Sequence, residues 1–151
     1  MVLTSHSDAS YLSKTEACSR AGGNFCMSNN TKFPPNNGTV FTIVKIIKAV
    51  ISLAAEAELG SMFIKFKEAI LERQEMEEVG NKQTPTPMQI DNTTAHVVVT
   101  NSIYSKRIKS MDMRLYWLRC RATQGKYRQY WISGATNLGD YVTKHHASIH
   151  H

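Results

Sequence analysis

The order of the elements that the sequence predicts favours an α/β fold, in which helices flank a mixed β-sheet. Three β-tolerant segments precede a long helical one, and the rest of the chain alternates between short strands and helices. The chain has 151 residues, of which 42% are hydrophobic and 20% charged, so it is long enough for one core. We therefore expect a single domain over residues 1–151.

The three N-terminal strands are predicted from β-branched and apolar runs that turns separate. Residues 2–7 form the first strand and end on Asp8, residues 22–27 form the second, and residues 39–44 form the third. Asn37-Gly38 lies where the chain has to reverse before the third strand. These segments predict three consecutive antiparallel strands.

The remaining elements alternate in type. From Ser52 apolar residues recur at three- and four-residue steps, which predicts a long helix that ends at Gly80. Pro85 and Pro87 indicate a loop, which leads into a short apolar strand over residues 88–90. The segment from Thr94 fits a short helix and a strand equally well. The last predicted elements are a helix over 111–123, a strand over 126–132 and a terminal helix from about 137.

The net charge of +6 is concentrated in one segment. Residues 101–130 contain eight lysines and arginines against a single acid, Asp112. Aromatic residues, Tyr116, Trp117, Tyr127 and Tyr130, lie among these charges. Such a segment can bind a nucleic-acid backbone, and the alternative is a solvated helix face.

Other features exclude several classes of protein. The three cysteines form no CxxC pair, which indicates neither a disulfide framework nor a zinc site. No apolar run approaches the roughly 20 residues of a membrane span, and no secretory signal is visible, so an intracellular protein is expected. The histidine-rich residues 145–151 are similar to an affinity tag, and we expect them to form a frayed polar tail.

Three aspartates follow or begin predicted elements at places where α/β sheets concentrate function. Asp8 ends the first strand, Asp91 ends the fourth, and Asp140 begins the terminal helix. Each one alone is as easily explained as a turn or cap residue. Clustered carboxylates, however, repel one another unless a divalent cation neutralises them, so as a set these acids indicate a hard-metal site.

The first long helix offers a fourth acid, and its register decides which one. On a helical wheel Glu56 lies next to the apolar face of Leu59 and Phe63, whereas Glu58 lies about 200° away. We therefore predict that Glu56 faces the sheet and that Glu58 lies on a more exposed face.

Six segments carry a resemblance to a known family. In chain order they are SDASY, SRAGG, EAEL, IDNTTA, SKRIKSMDMRLYWLR and NLGDYVTKHH. Together they cover nearly the whole chain, and it resembles the ribonuclease H region that closes copia-type retrotransposon polyproteins.

The resemblance implies a ribonuclease H-like mixed five-stranded sheet, with three antiparallel strands and then two further strands, flanked by helices. It implies that two Mg²⁺ ions, or Mn²⁺ in their place, are held by Asp8, Glu56, Asp91 and Asp140. The implied activity is hydrolysis of the RNA strand of RNA/DNA hybrids during retrotransposon reverse transcription. The basic segment, independently of the resemblance, offers the candidates for nucleic-acid contacts: Lys106, Arg107, Lys109, Arg121 and Arg128.

The resemblance also implies a partner and a location. The partner is the reverse transcriptase part of the parent polyprotein, the location is a cytoplasmic particle or the nucleus, and no membrane is involved. The sequence departs from the family pattern at Ala54, Ala55, Ser110, Gly139 and residues 132–133. These departures keep open an inactive remnant that binds nucleic acid without cleaving it. A third alternative is an unrelated α/β interaction domain.

Overall fold

The computed structural model describes residues 1–12, 18–100 and 112–144. Lys106, Arg107, Lys109 and the predicted tail over 145–151 lie outside these ranges. The elements in them are β1 (Val2–Ser10), β2 (Ser19–Ser28), β3 (Thr39–Ile47), α1 (Ala54–Glu78), β4 (Thr86–Ile90), α2 (Thr93–Thr100), α3 (Asp112–Thr123), β5 (Tyr127–Trp131) and α4 (Asp140–Thr143). A 3₁₀ turn at Gly134–Thr136 precedes α4.

The five strands form one mixed sheet in the order β3-β2-β1-β4-β5. β1, β2 and β3 are antiparallel, whereas β4 runs parallel to both β1 and β5. The predicted fold class, three antiparallel strands followed by two further strands with flanking helices, is confirmed. The parallel pairing matters for the site, because the carboxyl ends of β1 and β4 meet at one edge of the sheet.

Two local predictions are decided by hydrogen bonds. The segment from Thr94 is a helix, α2, whose first turn is capped where Asn92 Oδ1 accepts the Ala95 N–H at 3.0 Å. Pro87, predicted in a loop, lies inside β4. The Thr86 N–H points to β5, so the nitrogen of Pro87 faces β1, whose pairing with β4 begins only at Met88. The missing N–H therefore interrupts no ladder bond.

The apolar core lies between the sheet and helices α1 to α3. Phe66 on α1 packs against Tyr127 with ring centroids 4.3 Å apart, and Phe63 meets Trp117 edge-on at 5.1 Å. Each fully buried side chain of this size contributes about 1.5–3 kcal/mol. The fully buried apolar side chains include Leu3, Phe25, Leu59, Met62, Phe66, Met88, Ile90 and Leu118. Among the described helices, none has the length and apolar content of a membrane span.

Candidate active site

Three of the predicted acids converge at the carboxyl edge of β1 and β4. One carboxylate oxygen from each of Asp8, Asp91 and Asp140 lies within 4.8 Å of the other two. Asp8 is contributed by β1, Asp91 follows β4, and Asp140 begins α4, which packs against β1 and β2. The sheet topology therefore assembles carboxylates that are up to 132 residues apart in sequence.

Asp8 is held from both faces of the sheet. On one face Thr143 Oγ1 donates to Asp8 Oδ2, and a Cβ built on Gly139 would lie 3.0 Å from the Asp8 Cβ. On the other face Ser61 Oγ donates to the Asp8 carbonyl oxygen at 2.6 Å. Thr143 thus binds one carboxylate oxygen of Asp8, Oδ2, and does not bind the other, Oδ1.

The electrostatics of the cluster are those of a site that favours a cation. Burial raises the pKa of Asp8 to about 6 against the hydrogen bond from Thr143, and the charges of Asp140 and Asp91 raise it further. Asp140 Oδ2 pairs with Lys144 Nζ at 2.7 Å. Its other oxygen, Oδ1, is buried and has no hydrogen-bond partner among the described residues. A cation placed between these carboxylates would relieve both the repulsion and the unmet acceptor.

The structure does not bring Glu56 into this cluster. Glu56 Oε2 accepts the backbone N–H groups of Ser52 at 2.6 Å and Leu53 at 3.3 Å, so this carboxylate caps the N-terminus of α1. A capping role for Ser52, the first residue of the predicted helix and one with a hydroxyl suited to it, is therefore wrong, because Leu53 is the N-cap residue and Glu56 supplies the acceptor.

Glu58, expected on a more exposed face, is only 5% exposed, so that expectation is wrong. Glu58 Oε1 accepts the Ala9 N–H at 3.0 Å, directly after Asp8 on β1, and Oε2 is buried without a partner in the described part of the chain. Burial raises the pKa of Glu58 to about 8, and the charges of Asp8 and Asp91 add to this effect. The helix therefore presents Glu58 to the carboxylates.

The helical wheel misled because α1 packs in two directions. Phe63, which helped to define the apolar face, contacts Trp117 of α3. Glu58 and Lys65, which both contact β1, and the buried Ala69 lie within about 40° of one another on the helix. Steps of seven and four residues separate these three positions, which is a spacing that places them on one face of a helix. Because two of the three are charged, the pattern is typical of a solvated face and does not indicate contact with the sheet.

Lys65 is a residue that the sequence analysis missed. Its side chain is completely buried, and Nζ donates to Ser7 Oγ at 3.0 Å and to the Asp8 carbonyl oxygen at 3.3 Å. Burial lowers the pKa of Lys65 to about 7, although the neighbouring charges of Glu58, Asp8 and Asp91 oppose the shift.

Gly134 leaves room beside the carboxylates. A Cβ at this position would lie 3.0 Å from Asp91 Oδ2 and 3.8 Å from Asp140 Oδ2. Any larger residue would place carbon against the two oxygens that face each other there. The 3₁₀ turn at Gly134–Thr136 is thus also part of the wall of the site.

The two predicted nucleic-acid contacts that the structure describes lie elsewhere. Arg128 donates to the carbonyl oxygens of Lys32 and Thr31 and so anchors the loop before β3. It pairs in register with Pro87 at the start of β4, roughly 13 Å along the strand from Asp91. Arg121 stacks over Trp117 at 5.3 Å and donates to Gln124. Neither residue lies beside the carboxylates.

No protein-family model and no curated protein sequence matches this chain. Solved structures do match. The N-terminal ribonuclease H domain of rv2228c from Mycobacterium tuberculosis, solved as a fusion with maltose binding protein, gives a TM-score of 0.60 at 11% identity. The match covers 93% of this chain and 89% of that one. Ribonuclease H1 from the halophilic archaeon Halobacterium salinarum gives 0.59 at 13% identity, with 95% and 94% covered.

A third match is to a longer protein. The protease-reverse transcriptase of prototype foamy virus gives a TM-score of 0.50 at 11% identity, over 94% of this chain but only 19% of that one. Identities this low establish the fold and nothing finer. The mixed five-stranded sheet with its flanking helices is therefore the ribonuclease H fold.

Proposed function

We propose that the chain is a divalent-metal-dependent endonuclease that hydrolyses the RNA strand of RNA/DNA hybrids. The observation that carries the proposal is the convergence of Asp8, Asp91 and Asp140 within 4.8 Å at the carboxyl edge of the parallel strands. Two solved structures with the same fold are themselves named ribonucleases H.

The residues at the site fit a hard divalent cation. All the donors are carboxylate oxygens, which Mg²⁺ and Mn²⁺ prefer, and two of them are buried oxygens without a partner in the described residues, Glu58 Oε2 and Asp140 Oδ1. Asp8, Asp91, Asp140 and Glu58 would hold two Mg²⁺ ions, with Glu58 in the place first predicted for Glu56. When bound, Mg²⁺ supplies a Lewis acid that acidifies water and neutralises charge on the leaving 3′ oxygen.

The chain itself contributes position and space. Ser61 and Thr143 fix Asp8 through its carbonyl and its carboxylate, so that the free carboxylate oxygen keeps one direction. Gly134 keeps the space beside Asp91 open for a substrate phosphate. Lys106, Arg107 and Lys109 would bind further phosphates, and selection of the hybrid would depend on its near-A-form shape and its 2′-hydroxyls.

We further propose that the domain comes from a copia-type retrotransposon and works joined to a reverse transcriptase. The support is the set of sequence segments given above and the structural match to one part of a protease-reverse transcriptase. Limited proteolysis and co-purification with the polymerase part of a copia-type polyprotein would test the association. A domain that neither binds nor stimulates that polymerase would contradict it.

The central experiment is cleavage of labelled RNA in a hybrid, with Mg²⁺ and with chelator. The wild-type protein should cleave only with Mg²⁺, and Asp8→Asn should be inactive. Equal cleavage by the wild type and the variant would indicate contamination and refute the enzyme. Binding of the hybrid without cleavage by either protein would instead establish the nucleic-acid-binding remnant.

A further inference from the structure

We infer that Lys65 is a positioning residue of this site, which holds the end of β1 against α1 so that Asp8 and Glu58 keep their relative geometry. The inference rests on the proposed function, because it assigns the two carboxylates to one metal site. It concerns a side chain on the opposite face of the sheet from Asp140 and Thr143.

The hydrogen bonds of α1 to β1 form one continuous row. Glu58 accepts from Ala9, Ser61 donates to the Asp8 carbonyl, and Lys65 donates to the same carbonyl and to Ser7 Oγ. Residues 58, 61 and 65 lie on adjacent turns of the helix, and their partners are consecutive residues of β1. Lys65 therefore ends a row of contacts that begins at the Glu58 carboxylate and holds the backbone of Asp8.

The fold makes room for Lys65 at one particular point. Gly23 on β2 pairs with Ser7, and a Cβ at Gly23 would lie 2.6 to 2.9 Å from three carbons of the Lys65 side chain. The stem of the lysine thus passes directly over the glycine backbone. Any other residue at position 23 would displace the stem and with it the Nζ atom.

A purely structural role does not explain the choice of lysine. A buried amine is costly to desolvate, and an apolar side chain of similar volume would fill the same space more favourably. Lys65 instead donates hydrogen bonds to the backbone of Asp8, a proposed metal ligand, and to the side chain of Ser7. We therefore expect that Lys65 makes the fold less stable than an apolar residue would and that its role is to hold the backbone of Asp8.

The test compares Lys65→Met with Arg73→Met in the full chain. Methionine keeps most of the stem and removes the donors. Arg73 is a second buried cation on the same helix, and it donates to Thr84, Gln83 and Thr86 far from the carboxylates. Mn²⁺ binding, measured by electron paramagnetic resonance without nucleic acid, provides a readout independent of cleavage.

We expect Lys65→Met to weaken Mn²⁺ binding by roughly tenfold, the effect typical of an outer partner of a metal ligand. It should lower kcat at saturating Mg²⁺ with little change in KM for the hybrid. Arg73→Met should leave Mn²⁺ affinity unchanged, although it also lowers the melting temperature. Ser7→Ala, which removes one acceptor of Nζ, should give a smaller loss in the same direction and serves if Lys65→Met does not fold.

The other outcomes overturn the inference. Unchanged Mn²⁺ affinity in Lys65→Met and Ser7→Ala would make Lys65 a structural residue. Tighter Mn²⁺ binding in Lys65→Met would mean that its charge competes with the metal. A wild type that binds no Mn²⁺ refutes the positioning role, whereas one that binds Mn²⁺ but does not cleave hybrid refutes only the nuclease.

Discussion

Helix α1 buries one cation in each half, and the two cations have different surroundings. Arg73, in the second half, donates to the carbonyl oxygens of Thr84 and Gln83 and to the Thr86 hydroxyl, which tie α1 to the start of β4. Its charged partner is the exposed Glu77 of the same helix, at 3.5 Å. Lys65, in the first half, lies among the charges of Glu58, Asp8 and Asp91. The first half of the helix therefore serves a charged site, and the second half serves the fold.

The largest expected effect separates two glutamates in the first half. Glu58→Gln removes a charge beside Asp8 and should lower Mg²⁺-dependent cleavage by more than about 100-fold, because even outer partners of metal ligands cost 10–100-fold. Glu56→Gln should leave cleavage near wild type and cost roughly 1 kcal/mol of stability through the weakened helix cap. Hybrid cleavage and thermal unfolding of both variants provide the measurement.

The reverse result would restore the original assignment. If Glu56→Gln were inactive and Glu58→Gln active, Glu56 would be the ligand and the buried position of Glu58 would have another explanation. Normal cleavage by both would remove the helix from the metal site altogether and leave the three aspartates as its ligands.

The sheet and the three aspartates could be predicted from the sequence, because both follow from the order of strands and helices along the chain. β-branched and apolar runs define the strands, and Asp8 and Asp91 lie at the carboxyl ends of β1 and β4, which meet because the two strands pair in parallel. Glu58 could not be found in this way. Its orientation depends on which residues of α1 face the sheet and which face α3. Phe63 contacts Trp117 of α3, and the sequence does not show this.

Buried polar contacts could not be predicted from the sequence either, because the donor and the acceptor lie far apart along the chain. Nothing in the sequence around Lys65 and Arg73 shows that their donors meet acceptors on β1 and β4. Arg128 was expected on nucleic acid from its place in a basic segment. Its donors instead bind the loop carbonyls of Lys32 and Thr31, which are 96 and 97 residues away.

The second expected effect tests which basic residues bind the hybrid. Replacing Lys106, Arg107 and Lys109 together by Ala should reduce the slope of log affinity against log salt by about 2.7, at roughly 0.9 per phosphate. Arg128→Ala should leave that slope unchanged, because Arg128 already donates to protein carbonyls. Both slopes would be measured by fluorescence anisotropy of labelled hybrid, with Asp8→Asn added to each protein so that the hybrid is not cleaved. A reduced slope for Arg128→Ala would return that residue to the interface.

The third effect uses the space beside Asp91. Gly134→Ala would place Cβ 3.0 Å from Asp91 Oδ2, so we expect roughly tenfold weaker Mg²⁺ binding and a matching loss of kcat. Gly38→Ala is the control, because nothing lies within 4 Å of its Cβ. It should change stability by no more than about 0.5 kcal/mol and leave Mg²⁺ binding intact. Equal Mg²⁺ affinity in the two variants would place the cation away from Gly134.

The smallest effect is a pH dependence of stability that belongs to the charged half of α1. In the folded, metal-free protein the pKa of Glu58 is raised from its ordinary 4.5 to about 8, mainly by burial. The folded state therefore binds this proton more tightly than the unfolded state, and the stability it contributes is complete below pH 4.5 and is lost as pH rises towards 8. His6, whose burial lowers its pKa to about 4, acts in the opposite direction below pH 6.5.

Glu58→Gln isolates the contribution of Glu58, because His6 is present in both proteins. In chelator, the melting temperature of Glu58→Gln minus that of the wild type should increase as pH rises from 4.5 to 7. Each kcal/mol of difference corresponds to about 2–4 °C in a domain of this size. Millimolar Mg²⁺ should reduce the difference at pH 7 because it stabilises the wild type, which has four carboxylates at the site, more than the variant, which has three. A difference that stays constant from pH 4.5 to 7 would show that Glu58 titrates alike in both states and is not buried beside the other carboxylates.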